Sequence, residues 1–321
     1  MATAQTRGFR VLVTGASGLL GRALVAELRV PRAWNAFSPQ VLTAVRRPPV
    51  APSEVFWDPL EGRIDAAKCE GLDAVVHLAG ENIGSGDGGL SALTGAWSPR
   101  KKAAIIESRR RGTALLARAL ASLKAPPPVL VTASGVGFYG DAGEAVCDEA
   151  SPRGAGFLAD VSAEWEGAAG RAAAAGVRTV ALRFGVVLSR RGGVVEKLYW
   201  PFFLGGGGPV GPGSQWVSWI ALPDAVRAIT HAIGTPGLAG PVNACSPQPA
   251  RNADFMAALA GAMGRPCALP LPTPIVHAVF GEMGAETLLA STRAVPTKLL
   301  ASGFVFDHPD VRGAMAEALR D

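Results

Sequence analysis

The sequence predicts an α/β fold, a doubly wound parallel sheet with helices on both faces, followed by a smaller C-terminal lobe. Short apolar runs alternate with helical patterns, which is typical of a parallel sheet. Several runs are almost wholly apolar, as expected of strands covered on both faces. In a chain of 321 residues, a hydrophobic content of 49% is enough for a large core. The strand-like runs span residues 9–13, 41–45, 55–57, 74–78, 129–131 and 179–184.

A glycine-rich turn follows the first predicted strand and leads into a predicted helix over 19–28. Residues 14–21 are Thr-Gly-Ala-Ser-Gly-Leu-Leu-Gly. Glycine permits a tight turn and a close approach of ligand, and backbone N–H groups at a helix N-terminus favour a phosphate. The turn therefore predicts a dinucleotide site, and a tight turn without a ligand is the alternative. The expected binding residues are Gly15, Ser17, Gly18, Leu19 and Leu20.

The end of the second predicted strand indicates which dinucleotide binds. An acidic residue there binds the ribose hydroxyls of NAD, but residues 43–47 are Thr-Ala-Val-Arg-Arg. A guanidinium forms paired, charge-assisted hydrogen bonds with a phosphate. We therefore expect Arg46 and Arg47 to bind the 2′-phosphate of NADP(H), and a solvated basic loop is the alternative.

Composition excludes several classes of protein. The net charge of +5 is modest for this length, and we expect no nucleic-acid partner. Four scattered cysteines without a C-x-x-C pair favour a reducing intracellular compartment and no metal site. No run of 18 apolar residues occurs, so we expect no transmembrane segment.

The clearest helical pattern covers residues 99–123. Ser98 is a suitable N-cap, Pro99 suits the first helical position, and the prolines at 126–128 end the helix. Residues 109–111 are three consecutive arginines, for which we expect a solvated face, with partner binding as the alternative.

The domain division follows from composition. We expect a core over 1–185, to which 217–245 return, and a lobe formed by 186–216 and 246–321. Residues 84–95 are rich in Gly and Ser and predict a flexible insertion near the carboxyl edge of the sheet. Further helices are predicted near 253–263, 283–292 and 310–319.

Longer segments extend the pattern over about residues 9–319. They lie at 73–83, 134–141, 157–166, 182–188, 216–220 and 303–306. Together they resemble an atypical branch of the extended short-chain dehydrogenase/reductases, a poorly characterised "epimerase family" of bacteria, mitochondria and plastids. The resemblance implies a seven-stranded NADP-binding Rossmann sheet with a small substrate lobe. It also implies cofactor contacts from Leu78, Ala79, Gly80, Thr132 and Ala133.

Active relatives carry a Tyr-x-x-x-Lys pair on the helix after the 129–131 strand, and the lysine lowers the pKa of the tyrosine. Neither tyrosine of this chain leads such a pair, because Tyr139 is followed four residues on by Gly143 and Tyr199 by Phe203. Where relatives carry a histidine after Trp-Ile, this chain has Ala221. Depending on register, the pair is replaced by Phe157 with Val161 or by Leu158 with Ser162.

Three residues are the candidate catalytic groups, and Ser134 and Tyr139 each have a structural alternative. Ser134 would hold the substrate oxygen or bond a turn, and Tyr139 would replace the lost acid or pack in the core. Glu81 would transfer a proton, and Asn82 would orient the substrate. Arg183 would meet an anionic substrate or form a buried ion pair.

Two functions follow. One is an NADP(H)-dependent oxidoreductase or epimerase acting on a small polar substrate. The other is a non-catalytic NADP(H)-binding sensor, assembly factor or subunit of a protein complex or oligomer. The expected compartment is the cytoplasm, or a plastid stroma or mitochondrial matrix for a mature organellar form.

Overall fold

The computed structural model describes residues 8–30, 39–88 and 94–320. The strands are β1 Arg10–Thr14, β2 Gln40–Val45, β3 Glu54–Asp58, β4 Arg63–Ile64, β5 Ala74–His77, β6 Val129–Gly135, β7 Val146–Cys147, β8 Arg178–Phe184, β9 Val186–Leu188, β10 Trp216–Val217, β11 Trp219–Ala221, β12 Gly240–Ala244, β13 Ala250–Arg251 and β14 Arg293–Ala294. The α-helices are α1 Leu19–Leu28, α2 Pro99–Ala121, α3 Phe157–Ala168, α4 Gly170–Ala174, α5 Gly193–Phe203, α6 Leu222–Gly234, α7 Asn252–Ala262, α8 Thr273–Gly284, α9 Thr297–Ala301 and α10 Val311–Arg320.

The main sheet has eight strands in the order β12-β8-β6-β5-β1-β2-β3-β4. All neighbouring pairs are parallel except β3 and β4, which are antiparallel. The predicted parallel α/β sheet is confirmed, and the eighth strand beyond the seven implied is the two-residue β4 at the edge. The order reverses at β1, which lies between β2 and β5, and in such sheets a ligand binds in the crevice at this point.

Both faces of the sheet are buried, which explains why the strands are so apolar. Val11 and Val13 of β1 pack with Leu24 of α1 in one core. Leu12, between them, packs with Leu116 of α2 in the core on the opposite face. Successive side chains of a strand point to opposite faces, so a fully apolar strand serves both cores.

A further hydrophobic cluster contains Phe202, Phe255, Leu259 and Met315, together with Trp219 of β11. The predicted helix over 283–292 is wrong in its bounds. A helix instead begins at Thr273, because a proline suits a first helical turn, and a π-helical turn follows at Ala285–Leu289. The core–lobe division of the chain stays a prediction.

Helix α2 corrects the interpretation of the arginine run. Arg110 and Arg111 are exposed and pair with Glu107, as expected of a solvated face. Arg109 is only 8% exposed, so the solvated interpretation is wrong for this residue. The reason is helical spacing, since Arg109 shares the buried face of α2 with Ile105, four residues before it.

Within the described ranges, no helix is long and apolar enough to cross a membrane. The same residues contain no group of three His, Cys, Asp or Glu side chains arranged to hold a metal ion. Part of the predicted 84–95 insertion, residues 89–93, lies outside the residues described.

Candidate dinucleotide site

The segment that joins β1 to α1 is built so closely that two of its glycines, Gly15 and Gly21, have no room for a side chain. Gly15 has a φ of +71°, and a Cβ there would lie 2.7 Å from the backbone nitrogen of Ala79. A Cβ on Gly21 would lie 2.1 Å from the carbonyl oxygen of Gly15. Gly18 occupies the N-cap of α1 and provides no side chain to bond the first helical N–H groups. The backbone N–H groups of the first helical turn are therefore available to a pyrophosphate, and this part of the structure fits a dinucleotide.

A buried chain of hydrogen bonds joins the turn to β5 and α2. The hydroxyl of Thr14 lies 2.6 Å from Nδ1 of His77, and Nε2 of His77 lies 3.0 Å from the hydroxyl of Thr113. Burial, and secondarily the charge of Arg109, lowers the pKa of His77 to about 3. His77 is therefore neutral at pH 7, and it holds the carboxyl end of β5 against α2.

The two arginines after β2 differ in their partners. The guanidinium of Arg47 is paired with the carboxylate of Glu54, and this pairing lowers the pKa of Glu54 to about 2. The side chain of Arg46 is exposed and has no hydrogen bond or ion pair with another described residue. Arg46 is therefore the guanidinium of the two that is available to a 2′-phosphate.

The loop after β5 carries the predicted Glu81 and Asn82 at the carboxyl edge of the sheet. The carboxylate of Glu81 is 2.5 Å from Nζ of Lys101, and the side chains are 44% and 4% exposed. The side-chain oxygen of Asn82 accepts a hydrogen bond from the backbone N–H of Gly84 at 2.8 Å. The sequence prediction missed Lys101, although its spacing of four residues from Ile105 on α2 indicated a buried face.

In one of the two registers predicted for the Tyr-x-x-x-Lys pair, both positions are apolar. Phe157 and Val161 of α3 pack with Ile105 of α2. The ring of Phe157 also lies 4.9 Å from the ring of Trp97 and 4.5 Å from Nζ of Lys102. In this register neither side chain can transfer a proton, and the other register places the hydroxyl of the buried Ser162 on α3.

The hydroxyls of Ser134 and Tyr139 lie in a buried network. Ser134 donates to Glu166 at 2.7 Å, and Arg183 makes two 2.8 Å bonds to the same carboxylate. Tyr139 accepts from Arg183 at 3.0 Å and donates to the side-chain oxygen of Asn243 at 2.7 Å. Burial raises the pKa of Tyr139 to about 12. The phenol is therefore protonated and fully bonded, and Arg183 forms the buried ion pair that the sequence left as one alternative.

The other predicted cofactor residues flank the turn. The N–H of Leu78 donates to the carbonyl of Thr14 at 3.2 Å, and Gly80 follows two residues later against the guanidinium of Arg109. Thr132 is fully buried at the level of His77 in the neighbouring β6, and its hydroxyl has no partner among the described residues. Ser17 lies in the turn between β1 and α1, and Ala79 lies in the loop after β5. Ala133 lies in β6, two residues before the strand ends at Gly135.

The fold, the glycine turn and the reversal of strand order define the chain as a dinucleotide-binding α/β protein. Residues 11–244 match the model of the NAD dependent epimerase/dehydratase family, and the chain belongs to this family. Residues 271–318 match a domain of unknown function, DUF1731. The epimerase-family resemblance seen in the sequence is thereby confirmed.

Relatives match the chain over nearly all of its length. "Epimerase family protein Mb2239" of Mycobacterium bovis is 40% identical over 96% of this chain and 97% of its own. The human "Epimerase family protein SDR39U1" is 37% identical over 96% of this chain and 99% of its own. The crystal structure of human SDR39U1 isoform 2 with NADPH superimposes with a TM-score of 0.85 at 34% identity, covering 98% of this chain and 100% of that one.

Proposed function

We propose that this chain is an NADP(H)-dependent oxidoreductase of the epimerase family that acts on a small polar substrate. The main support is that the tight glycine turn and the half-exposed carboxylate of Glu81 lie at the same edge of the sheet. The solved human relative with NADPH and the exposed Arg46 support NADP(H) rather than NAD(H).

In this proposal the chain's own residues hold the cofactor and move one proton. The backbone of residues 15–20 holds the pyrophosphate, Arg46 holds the 2′-phosphate, and residues 78–80 with 132–133 line the cleft. When bound, the nicotinamide supplies or accepts a hydride. Glu81 exchanges a proton with the substrate oxygen while Lys101 holds its carboxylate in place, and Asn82 orients the substrate.

Turnover measurements test this proposal. The purified protein is loaded with NADPH, and absorbance at 340 nm is followed with a panel of small aldehydes and ketones. Turnover that falls by about 10²–10⁴-fold in Glu81→Gln supports the assignment of the proton to Glu81. Glu107→Gln, an exposed carboxylate on α2, is the matched control and should keep full activity. Turnover that is unchanged in Glu81→Gln contradicts the role given to this residue.

A second function, a non-catalytic NADP(H)-binding sensor, assembly factor or complex subunit, is favoured by a different observation. Phe157 and Val161 carry no proton-transfer group, and the hydroxyls of Ser134 and Tyr139 are bonded inside the core. A tightly held nucleotide would then act by stabilising the fold, by about 2.7 kcal/mol at 100 times its dissociation constant. Full nucleotide binding without turnover of any carbonyl would favour this function over the first.

A further inference from the structure

Arg109 is a buried cation that the proposed reaction does not use. Its side chain donates to the carbonyl oxygens of Glu81 at 2.9 Å and Ile105 at 3.1 Å, and its guanidinium lies 4.6 Å from the ring centre of Trp165. No carboxylate of the described residues forms an ion pair with it. Burial lowers the pKa of Arg109 to about 10, the charge of Glu81 partly opposes this shift, and the side chain remains charged at pH 7. Burying a charge that has no direct ion pair is costly.

The position of Arg109 is set by the hydrogen bond between His77 and Thr113. Thr113 is bonded to His77, the last residue of β5. The part of α2 that precedes Thr113, which includes Arg109, lies beside the loop that follows β5. Arg109 lies one turn beyond Thr113, and a Cβ on Gly80 would be 3.2 Å from its guanidinium carbon. The charge therefore lies directly beneath the loop that the sequence predicts to contact the cofactor.

Cationic side chains contact the loop at residues 81–85. Residues 81–85 contact three cations, since Lys101 bonds the side chains of Glu81 and Ser85, Lys197 bonds the carbonyl of Gly84, and Arg109 bonds the carbonyl of Glu81. Glu81 is the one carboxylate within these five residues. Glu166, on the next helix, is already paired with Arg183.

The nicotinamide half of a bound dinucleotide belongs on this side of the sheet. The pyrophosphate position is the turn at β1, and Arg46 at the end of β2 marks the adenosine side. The other half must then extend over β5 and β6, above Gly80 and Arg109. The nicotinamide ring is positively charged in NADP⁺ and neutral in NADPH, so a nearby buried cation opposes the oxidised form.

We propose that Arg109 makes the site selective for the redox state of its cofactor, so that NADPH binds more tightly than NADP⁺. The inference rests on the proposed function, because it requires that NADP(H) binds here. Two unit charges about 10 Å apart at an effective dielectric constant of about 20 give a preference of about tenfold. The chain would then hold NADPH ready as a reductant and release NADP⁺.

Dissociation constants of NADPH and NADP⁺, measured calorimetrically on the full chain, test the inference. The wild type should show a ratio of about ten in favour of NADPH, and Arg109→Met should bring the ratio close to one. Arg109→Lys should keep most of the preference, and Arg110→Met, which removes an exposed arginine of the same helix, should keep all of it. Glu81→Gln should raise the ratio, because it removes the negative charge beside the cations.

Several outcomes separate the inference from the proposed function. Equal binding of the two nucleotides by the wild type, or an unchanged ratio in Arg109→Met, would overturn the inference alone. A wild type that binds neither nucleotide would overturn the proposed function as well. Thermal unfolding of the ligand-free variants checks folding, and if Arg109→Met does not fold, Arg109→Gln, which keeps hydrogen-bond donors without the charge, should also bring the ratio close to one, whereas an unchanged ratio would overturn the inference.

Discussion

Arg183 and Arg109 are both buried arginines at the carboxyl edge of the same sheet, yet their surroundings differ. Arg183 is held by two bonds to the carboxylate of Glu166 and closes a complete network. Arg109 bonds only carbonyl oxygens and the face of an aromatic ring. The guanidinium of Arg183 thus has a carboxylate that completes its network, whereas the charge of Arg109 is held by carbonyl oxygens beside the loop proposed to contact the cofactor.

The largest effect should come from breaking the Arg183 pair. Glu166→Ala leaves the guanidinium of Arg183 and the hydroxyl of Ser134 without their acceptor, and should lower the free energy of unfolding by about 3 kcal/mol or more. Urea denaturation measures this. Glu107→Ala, which removes an exposed ion-pair partner on α2, is the control and should cost less than about 1 kcal/mol. A similar small cost in Glu166→Ala would show that the network is not structural.

Acid should lower the free energy of unfolding through the protonation of His77 in the unfolded chain. The pKa of His77 is about 3 in the folded state and about 6.5 in the unfolded chain, so only the unfolded chain binds the proton between these values. The stability associated with neutral His77 is complete above pH 6.5 and is lost as the pH falls towards 3, at about 1.4 kcal/mol per pH unit. Urea unfolding of wild type and His77→Gln at pH 6.5 and 4.5 measures this difference in slope. Parallel losses in the two proteins would contradict it.

A smaller effect distinguishes a structural from a catalytic Tyr139. Tyr139→Phe leaves the side chains of Asn243 and Arg183 each short of a hydrogen bond, and should cost about 1–2 kcal/mol of unfolding free energy. Turnover per folded molecule and NADPH affinity should stay unchanged. Tyr199→Phe, the other tyrosine, is the control, with an expected cost below about 0.5 kcal/mol. Lost turnover at full stability would instead make Tyr139 the acid.

Sequence patterns predicted the sheet and the glycine turn well, because both depend on local rules. The apolar runs can be recognised from neighbouring residues alone, and so can the glycines at 15 and 21. The structure has strands and a tight turn at these positions. The loop Glu81 and the exposed Arg46 were also identified as residues at the ends of strands.

The environments of the arginines could not be predicted in the same way. The carboxylate partner of Arg183 in β8 is 17 residues away on helix α3, and the contact of Arg109 with the Glu81 carbonyl spans 28 residues. Three consecutive arginines look alike in the sequence, although helical rotation turns Arg109 inward and leaves Arg110 and Arg111 exposed. Charge partners across elements depend on tertiary packing, which sequence spacing does not reveal.

The most direct test of the account is a titration of the wild type and two arginine variants with NADPH and with NADH. We expect saturable binding with a preference of about tenfold or more for NADPH, since a charge-assisted bond to the 2′-phosphate contributes about 1.5–3 kcal/mol. Arg46→Ala should lose that preference by weakening NADPH alone, whereas Arg47→Ala, whose arginine is paired with Glu54, should keep most of it. Equal affinity of the wild type for the two nucleotides, or no binding of either, would contradict the account.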